Sequence, residues 1–154
     1  MLDITILAVG KIKEKYFAEA INEYTKRLKI YAAIKVVEIE PTSFSSGNRE
    51  KAKKEEGEKI LKYLKKNEGK HIIILDEHGL DFTSQQFSKY LQEINKPIVF
   101  VIGGALGLSQ EVLDIADYTM ALSQFTFPHE MARLVLAEQI YRASTIANNK
   151  TYHY

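Results

Sequence analysis

The chain has no cysteine among its 154 residues. That absence excludes a disulfide scaffold, a thiol nucleophile and a zinc site built from cysteines, and it fits a protein of the reducing cytoplasm. Long apolar runs are also missing. The longest, Ile72–Leu75 and Ile98–Ile102, are far shorter than the roughly 20 residues that span a bilayer. Near the start, the run Ile4–Val9 is too short for a signal peptide, and Asp3 precedes it where basic residues are expected. We therefore expect a soluble protein without membrane contact.

The net charge of +1 conceals an uneven distribution. Residues 1–70 contain 16 Lys or Arg against 11 Asp or Glu, whereas residues 71–154 contain 5 against 9. A basic half on a nearly neutral chain fits a surface that binds a polyanion. Charge alone fits an ordinary solvated helix surface more simply.

Strand-like and helix-like patterns alternate along the chain. They predict strands at Asp3–Val9, Ile34–Ile39, Ile72–Leu75, Ile98–Ile102 and Tyr118–Leu122. They predict helices at Phe17–Leu28, Glu50–Asn67, Ser84–Ile94 (capped by Thr83 or Ser84), Ser109–Ile115 and Pro128–Asn148, and a loop at Thr42–Asn48. The helix Glu50–Asn67 is so charged that we expect it to be exposed, with only Ile60, Leu61, Tyr63 and Leu64 able to face a core. The alternation predicts one α/β domain, residues 1–154, with a mostly parallel sheet and helices on both faces.

Ligands of open α/β sheets bind beyond the carboxyl ends of the strands, and three such ends are unusual here. The first, Leu75, is followed by Asp76-Glu77, as in a P-loop ATPase, but the chain has no G-x-x-x-x-G-K-[ST] phosphate loop. The second leads into Gly103–Gly107, which departs from the G-x-G-x-x-G dinucleotide fingerprint and fits either a ligand loop or a tight turn. Both nucleotide-binding classes are therefore disfavoured.

The third strand end runs from Leu122 to His129 and leads into a helix that carries Arg133 one turn later. A helix N-terminus disfavours positive charge on His129, which suits a neutral hydrogen-bonding or base role; capping or packing is the alternative. The chain ends in Tyr152-His153-Tyr154, whose aromatic rings suit stacking on bases or packing against the body of the protein.

Together these segments resemble the ribosomal large-subunit methyltransferase H family, a small member of the SPOUT methyltransferases. The matching segments are ITILAVGKIKEKY, FVIGGALGL, LSQFTFPHEMARLVLAEQIYRA and the terminal YHY. The glycine loop, T-x-P-H-x-x-x-R, E-Q-x-Y-R-A and the terminal Tyr-His form a highly specific combination. The similarity covers essentially the whole length.

The resemblance implies an α/β domain whose C-terminal part forms a deep trefoil knot, and a homodimer that uses S-adenosylmethionine without a metal. It implies methylation of N3 of a pseudouridine in helix 69 of 23S ribosomal RNA, on the assembled ribosome. By position, the residues that would contact S-adenosylmethionine are Leu75, Gly103, Leu122, Ser123, Gln124, Phe125, Thr126 and Phe127.

Methylation at N3 requires an aligned methyl donor and the loss of the N3 proton. We expect His129 and His153 to be the candidate proton acceptors. We expect Arg133 to stabilise negative charge on the base or to bind phosphate, and Tyr152 to stack on or orient the base. Two alternatives remain: a ribosome-associated factor that binds S-adenosylmethionine without catalysis, and a related methyltransferase that acts on another RNA, such as transfer RNA.

Two surfaces are expected to bind partners. The last helix is apolar around most of its circumference, more than one core-facing stripe requires, which predicts a dimer interface. Its apolar residues are Met131, Leu134, Val135, Leu136, Ile140 and Tyr141. The candidate RNA-binding residues are Lys11, Lys13, Lys15, Arg49, Lys51, Lys53 and Lys54.

Overall fold

Strands and helices alternate along the chain, and the computed structural model describes residues 1–154. The elements are β1 (Leu2–Val9), α1 (Lys15–Leu28), β2 (Ala32–Ile39), α2 (Arg49–Lys66), β3 (His71–Leu80), α3 (Ser84–Glu93), β4 (Ile98–Ile102), α4 (Gln110–Asp114), β5 (Tyr118–Met120) and α5 (His129–Ala147). The strands form one parallel sheet in the order β2-β1-β4-β3-β5. The predicted α/β class is confirmed. Because all strands are parallel, their carboxyl ends meet at one edge, the carboxyl edge, and their amino ends at the opposite amino edge.

Apolar side chains cover both faces of the sheet. Ile4, Ile6 and Ala8 of β1 lie in the core beneath α1, α3 and α5, whereas Leu7 and Val9 lie in a second core beneath α2 and α4. Alternate residues of a strand point to opposite faces, so a strand that is buried on both sides must be apolar throughout. This explains the uninterrupted apolar run of β4, all of which is buried.

The third strand is longer than its apolar pattern predicted. A strand end at Leu75 is wrong, because β3 continues to Leu80 and pairs there with Met120 of β5 after an irregular stretch. Asp76-Glu77-His78 interrupts the apolar run, but backbone pairing does not depend on apolar side chains. At the next helix, Thr83 is the cap: its side chain accepts a hydrogen bond from the backbone of Gln86 in a reciprocal capping box.

Helix α2 is less exposed than predicted. One face packs on the sheet and buries Ala52, Glu56, Gly57, Ile60 and Leu64, whereas Leu61 and Tyr63 are only partly covered. The expectation that only apolar residues would face inward was wrong for Glu56, which is 3% exposed. Its carboxylate accepts a hydrogen bond of 2.9 Å from the backbone N–H of Thr42, which provides part of the partnership that a buried carboxylate needs.

Helix α5 lies between α1 and α3. Its inner residues Leu136 and Ile140 are fully buried, whereas Met131, Leu134, Val135 and Tyr141 stay partly exposed on this chain. The helix thus carries more apolar surface than the sheet covers. None of the helices combines the length and apolar character required to cross a membrane.

Candidate cofactor and substrate site

A cleft of about 460 Å³ opens at the carboxyl edge, within the roughly 300–1,000 Å³ typical of small-molecule sites. Its lining comes from the middle of β3, the loop after β4, the loop after β5 and the first turn of α5. Every residue that the resemblance assigned to the cofactor lines this cleft, except the exposed Gln124. The residues brought together are Leu75, Gly103, Leu122, Ser123, Phe125, Thr126 and Phe127.

The glycine loop after β4 forms one wall of the cleft. Gly104 and Gly107 pair across it in an isolated bridge, and the backbone N–H of Gly107 donates a hydrogen bond of 3.1 Å to the Gly104 carbonyl. A Cβ atom on Gly103 would come within 3.0 Å of the Leu108 side chain, so the loop can only fold this tightly without one. Gly103 itself lines the cleft, so a ligand there can approach its backbone.

The opposite wall carries two carboxylates that the sequence did not assign to the site. Asp76 and Glu77 lie in the extended part of β3 and line the cleft. The Thr126 hydroxyl donates a hydrogen bond to Glu77, which ties the loop after β5 to β3. These carboxylates were considered only as an ATPase-like strand end; the structure instead makes them the negatively charged side of the cleft, which suits a ligand with positive charge.

His129 lies at the mouth of the cleft, in the first turn of α5. Its ring packs over Gly10, the residue that follows β1: a Cβ atom there would lie 3.5 Å from Nε2 of His129. Gly10 also has a φ of +92°, in the region that side chains disfavour. Glycine at this position thus allows both the turn after β1 and the close approach of the imidazole.

Arg133 is one turn further along α5 and is 2% exposed. Its Nη1 donates to the Glu38 carboxylate of β2 at 2.7 Å, and its Nη2 donates to the Gly10 carbonyl at 3.0 Å. The guanidinium therefore binds the loop on which His129 rests. It does not line the cleft.

Glu130 joins the first turns of α5 and α1. Its Oε1 accepts hydrogen bonds from the backbone N–H of Lys13 at 2.5 Å and of Glu14 at 3.0 Å. Helix α1 has no side-chain cap of its own, so Glu130 serves as that cap from another helix. These backbone hydrogen bonds, that from Glu14 first, lower the pKa of Glu130. Glu130 and Arg133 together fix the start of α5 against the loop after β1.

The C-terminal residues fold back beside the middle of α5, away from the cleft. Tyr152 donates a hydrogen bond of 3.1 Å to Glu138, and Nδ1 of His153 lies 3.3 Å from Nη1 of Arg142. Glu138 and Arg142 follow His129 by nine and thirteen residues, or about 14 and 20 Å along the helix axis at 1.5 Å per residue. Within one chain, therefore, His129 and His153 are not in the same site, and the tail packs against the body of the protein.

Basic residues flank the cleft on two sides. Lys51, Lys53 and Lys54 line a neighbouring cleft of about 580 Å³, which shares Leu108 with the first. On the other side, the exposed Lys11, Lys13 and Lys15 follow the Gly10 turn beside His129. Glu50 and Glu111 also line the second cleft, so its charge is mixed.

Known proteins are similar to this sequence over nearly its full length. A family model described as "Predicted SPOUT methyltransferase" matches residues 2–153. The chain is 44% identical over 160 residues to the ribosomal RNA large subunit methyltransferase H of Ruminiclostridium cellulolyticum, covering 99% of both chains. It is 43% identical over 158 residues to the protein of the same name from Acetivibrio thermocellus, covering 97% of this chain and 98% of the relative.

A solved structure shares the fold. It is described as that of a probable methylase family protein from Haemophilus influenzae Rd KW20, and it matches with a TM-score of 0.58 over 99% of this chain and 70% of the other. The sequences are 13% identical, so the likeness concerns the fold alone.

Proposed function

Because this chain belongs to the SPOUT methyltransferase family, we propose that it transfers a methyl group from S-adenosylmethionine to ribosomal RNA. The finer proposal is that it methylates N3 of a pseudouridine in helix 69 of 23S RNA, on the assembled ribosome and hence in the cytoplasm. The observation that carries the proposal is the cleft at the carboxyl edge, where the glycine loop, the loop after β5 and His129 converge. The names of the full-length relatives support ribosomal RNA as the substrate class.

The cleft fits the cofactor in size and charge. S-adenosylmethionine, when bound, supplies an electrophilic methyl group on a positively charged sulfonium. The residues that would hold it, because they form the cleft walls, are Leu75, Gly103, Leu122, Ser123, Phe125, Thr126 and Phe127. Asp76 and Glu77 add the negative charge that suits a cationic ligand. Isothermal titration of the purified chain with S-adenosylmethionine tests this step without reference to turnover.

His129 is the residue of the cleft mouth that we propose as proton acceptor for N3. A base must lie within hydrogen-bond reach of the proton that it removes, and His129 is the imidazole that lines the cleft. The buried Arg133 contributes through position: it holds the Gly10 carbonyl and Glu38, and Gly10 supports the imidazole. Its positive charge thus acts by fixing His129.

The roles proposed for Tyr152 and His153 require a second copy of the chain. Because these residues pack beside Glu138 and Arg142 and do not line the cleft of their own chain, they act in a cleft only if a partner subunit provides it. The partly exposed apolar surface of α5 is our candidate interface for this homodimer; it comprises Met131, Leu134, Val135 and Tyr141. In a two-fold dimer each copy contributes to the other in the same way, so both sites would be complete.

The basic residues beside the cleft are the proposed contacts to RNA phosphates. Lys11, Lys13 and Lys15 follow the Gly10 turn, and Lys51, Lys53 and Lys54 lie in the neighbouring cleft, with Arg49 at the start of α2. Phosphate contacts release counterions, so ribosome affinity should fall steeply as salt rises. A binding constant that is insensitive to salt between 50 and 200 mM, a range over which about 10³-fold changes are typical for six or more contacts, would remove this part of the proposal.

The proposed function is tested by incubating the purified chain with labelled S-adenosylmethionine and ribosomes that lack the modification. We expect one methyl group per ribosome, located by mass spectrometry on a helix 69 pseudouridine. Cofactor binding without transfer to any RNA would instead indicate a ribosome-associated factor. Label on transfer RNA but not on ribosomes would indicate a different RNA substrate.

A further inference from the structure

The E-Q-x-Y-R-A segment of α5 does not line the cleft, and its two charged residues bind each other and the C-terminal tail. Oε1 of Glu138 accepts hydrogen bonds from Nε and Nη2 of Arg142 at 3.0 and 2.6 Å. The same oxygen accepts the hydroxyl of Tyr152 at 3.1 Å. One carboxylate oxygen in the middle of α5 thus binds both Arg142, one turn later, and the C-terminal tail.

The ring of Tyr152 is enclosed on several sides. The Arg142 guanidinium lies 4.8 Å from its centroid, and the Tyr141 ring packs against it edge-on at 4.8 Å. The Tyr24 hydroxyl of α1 lies 3.4 Å from the Tyr152 hydroxyl. We call this arrangement the tail socket; it consists of Tyr24, Glu138, Tyr141 and Arg142.

The backbone also directs the tail into the socket. Asn149 has a φ of +51°, and the N–H of Asn149 and of Lys150 bond the carbonyls of Ile146 and Thr145. This is the hydrogen-bond pattern of a Schellman C-cap, which reverses the chain after the helix. Tyr152 is thereby brought back along α5.

The socket keeps its charges paired. The hydrogen bond that Arg142 donates to Glu138 raises the pKa of Arg142, and burial raises the pKa of Tyr152, so the phenol keeps the proton that it donates. Glu138 and Arg142 are 17% and 25% exposed, which shields their ion pair from solvent.

We propose that the tail socket is a positioning device that holds Tyr152 and thereby fixes where His153 is presented to the cleft of a second copy. The inference rests on the proposed function, because it gives the tail a part in methyl transfer. Glu138 and Arg142 act through the tail and are positioning residues. The socket requires the Tyr152 hydroxyl and the Glu138 carboxylate together, since each satisfies the other.

The first test replaces Glu138→Gln and, separately, Tyr152→Phe in the full-length chain. A displacement of about 1 Å costs on the order of 10²-fold in rate, so we expect kcat for ribosome methylation to fall about 10- to 100-fold. Affinity for S-adenosylmethionine should not change, because neither Glu138 nor Tyr152 lines the cleft. Glu93→Gln, at an exposed Lys–Glu pair on α3, is the matched control and should keep wild-type kcat. Wild-type kcat in both socket variants would overturn the inference.

The second test asks whether Glu138 acts only through the tail. In a chain that ends at Thr151, Glu138→Gln should cause no further loss of residual turnover. An equal loss in the full and shortened chains would mean that Glu138 acts elsewhere, and the inference would fail. If shortening alone leaves turnover intact, the proposed catalytic role of the tail fails with it, while cleft and methyl transfer stand.

The third test does not depend on activity. The chain has no tryptophan, so Tyr154→Trp places a single fluorophore beside the tail. Time-resolved anisotropy should show little fast local motion with the native socket and clearly more after Glu138→Gln. Unchanged anisotropy would contradict the socket even if the protein proved to methylate nothing, so the two proposals can fail separately.

Discussion

Both edges of the sheet have a histidine and carboxylates, but these groups are bonded to one another at the amino edge and open to a cleft at the carboxyl edge. At the amino edge, Nε2 of His71 lies 2.6 Å from the Tyr90 hydroxyl, and Asp117 accepts the N–H of Ile72 at 2.7 Å while lying 3.7 Å from Nδ1 of His71. At the carboxyl edge, His129 and the carboxylates of β3 face an open cleft.

The difference separates residues that stabilise from residues that can react. Burial lowers the pKa of His71 and raises the pKa of Tyr90 to about 12, so both are held in their neutral, mutually bonded forms. The Tyr90 and Phe82 rings pack with Tyr118 at 5.0 and 4.9 Å and close the amino edge. His71, whose ring is bonded to Tyr90, therefore stabilises the fold. His129, which faces the cleft, is a candidate catalytic group.

The largest expected effect is on turnover at the carboxyl edge. His129→Ala removes the proposed proton acceptor, and general-base catalysis contributes about 10²–10⁴-fold. We expect kcat to fall by that factor while the thermal midpoint stays within error, since His129 is only partly buried. Initial rates with labelled cofactor measure it.

His78→Ala is the matched control for that variant. His78 is 83% exposed near the same edge but does not line the cleft, so its removal should leave turnover unchanged. Equal rates for the wild type and the His129 variant would assign the proton to another group, with His153 of a second copy as the next candidate.

The next effect concerns the connection beneath His129. Arg133→Met leaves the Glu38 carboxylate without its partner and the Gly10 carbonyl without its donor. Breaking a buried ion pair costs about 3–5 kcal/mol, and the 33% exposure of Glu38 places the expected loss at about 3 kcal/mol. Urea unfolding measures the loss. Restoring stability by Glu38→Gln in the same chain would show that the unpaired carboxylate caused it; a loss below about 1 kcal/mol would contradict the buried pair.

Most of the fold could be predicted from the sequence because its signals are local. Continuous apolar runs in β1 and β4 identify strands buried on both faces, and Thr83 with Gln86 identifies the start of α3. The extension of β3 could not be predicted in this way, because a polar stretch interrupts the apolar run and the pairing of Leu80 with Met120 is a contact distant in sequence. The knot and the dimer, which the family resemblance implies, stay predictions.

The residues of the site were predicted mainly from the family resemblance and less from the physical properties of the sequence. Cofactor residues were placed by family position, and nearly all of them line one cleft. The partners of Arg133 could not be found from sequence, because Glu38 lies 95 positions away and no sequence pattern indicates that a glutamate in a β-strand pairs with a buried guanidinium. The role of Glu130 could not be predicted either. A glutamate in the first turn of a helix ordinarily interacts with its own helix, whereas Glu130 caps α1.

The third effect tests the amino edge. Tyr90→Phe removes the hydroxyl that bonds His71 while keeping the ring against Phe82 and Tyr118. Loss of one such hydrogen bond should cost about 1 kcal/mol in the free energy of unfolding. Turnover at 25 °C should be unchanged, because the cleft lies at the opposite edge. Lower turnover in a fully folded variant would show that the two edges are coupled and would break the comparison.

The smallest expected effect is the dependence of stability on pH that arises from His71, the partner of Tyr90. The pKa of His71 is lowered in the folded protein, first by burial, so the folded state prefers the neutral imidazole. The neutral imidazole of His71 therefore contributes its full stabilisation above the pKa of the unfolded chain, about 6.5. This contribution is lost as the pH falls from about 6.5 toward the lower pKa of the folded protein. We expect the free energy of unfolding to decrease between pH 7.5 and 5.5, and His71→Gln to flatten that slope. Carboxylates titrate mainly below this window, so an unchanged slope in the variant would contradict the assignment of the pH dependence to His71.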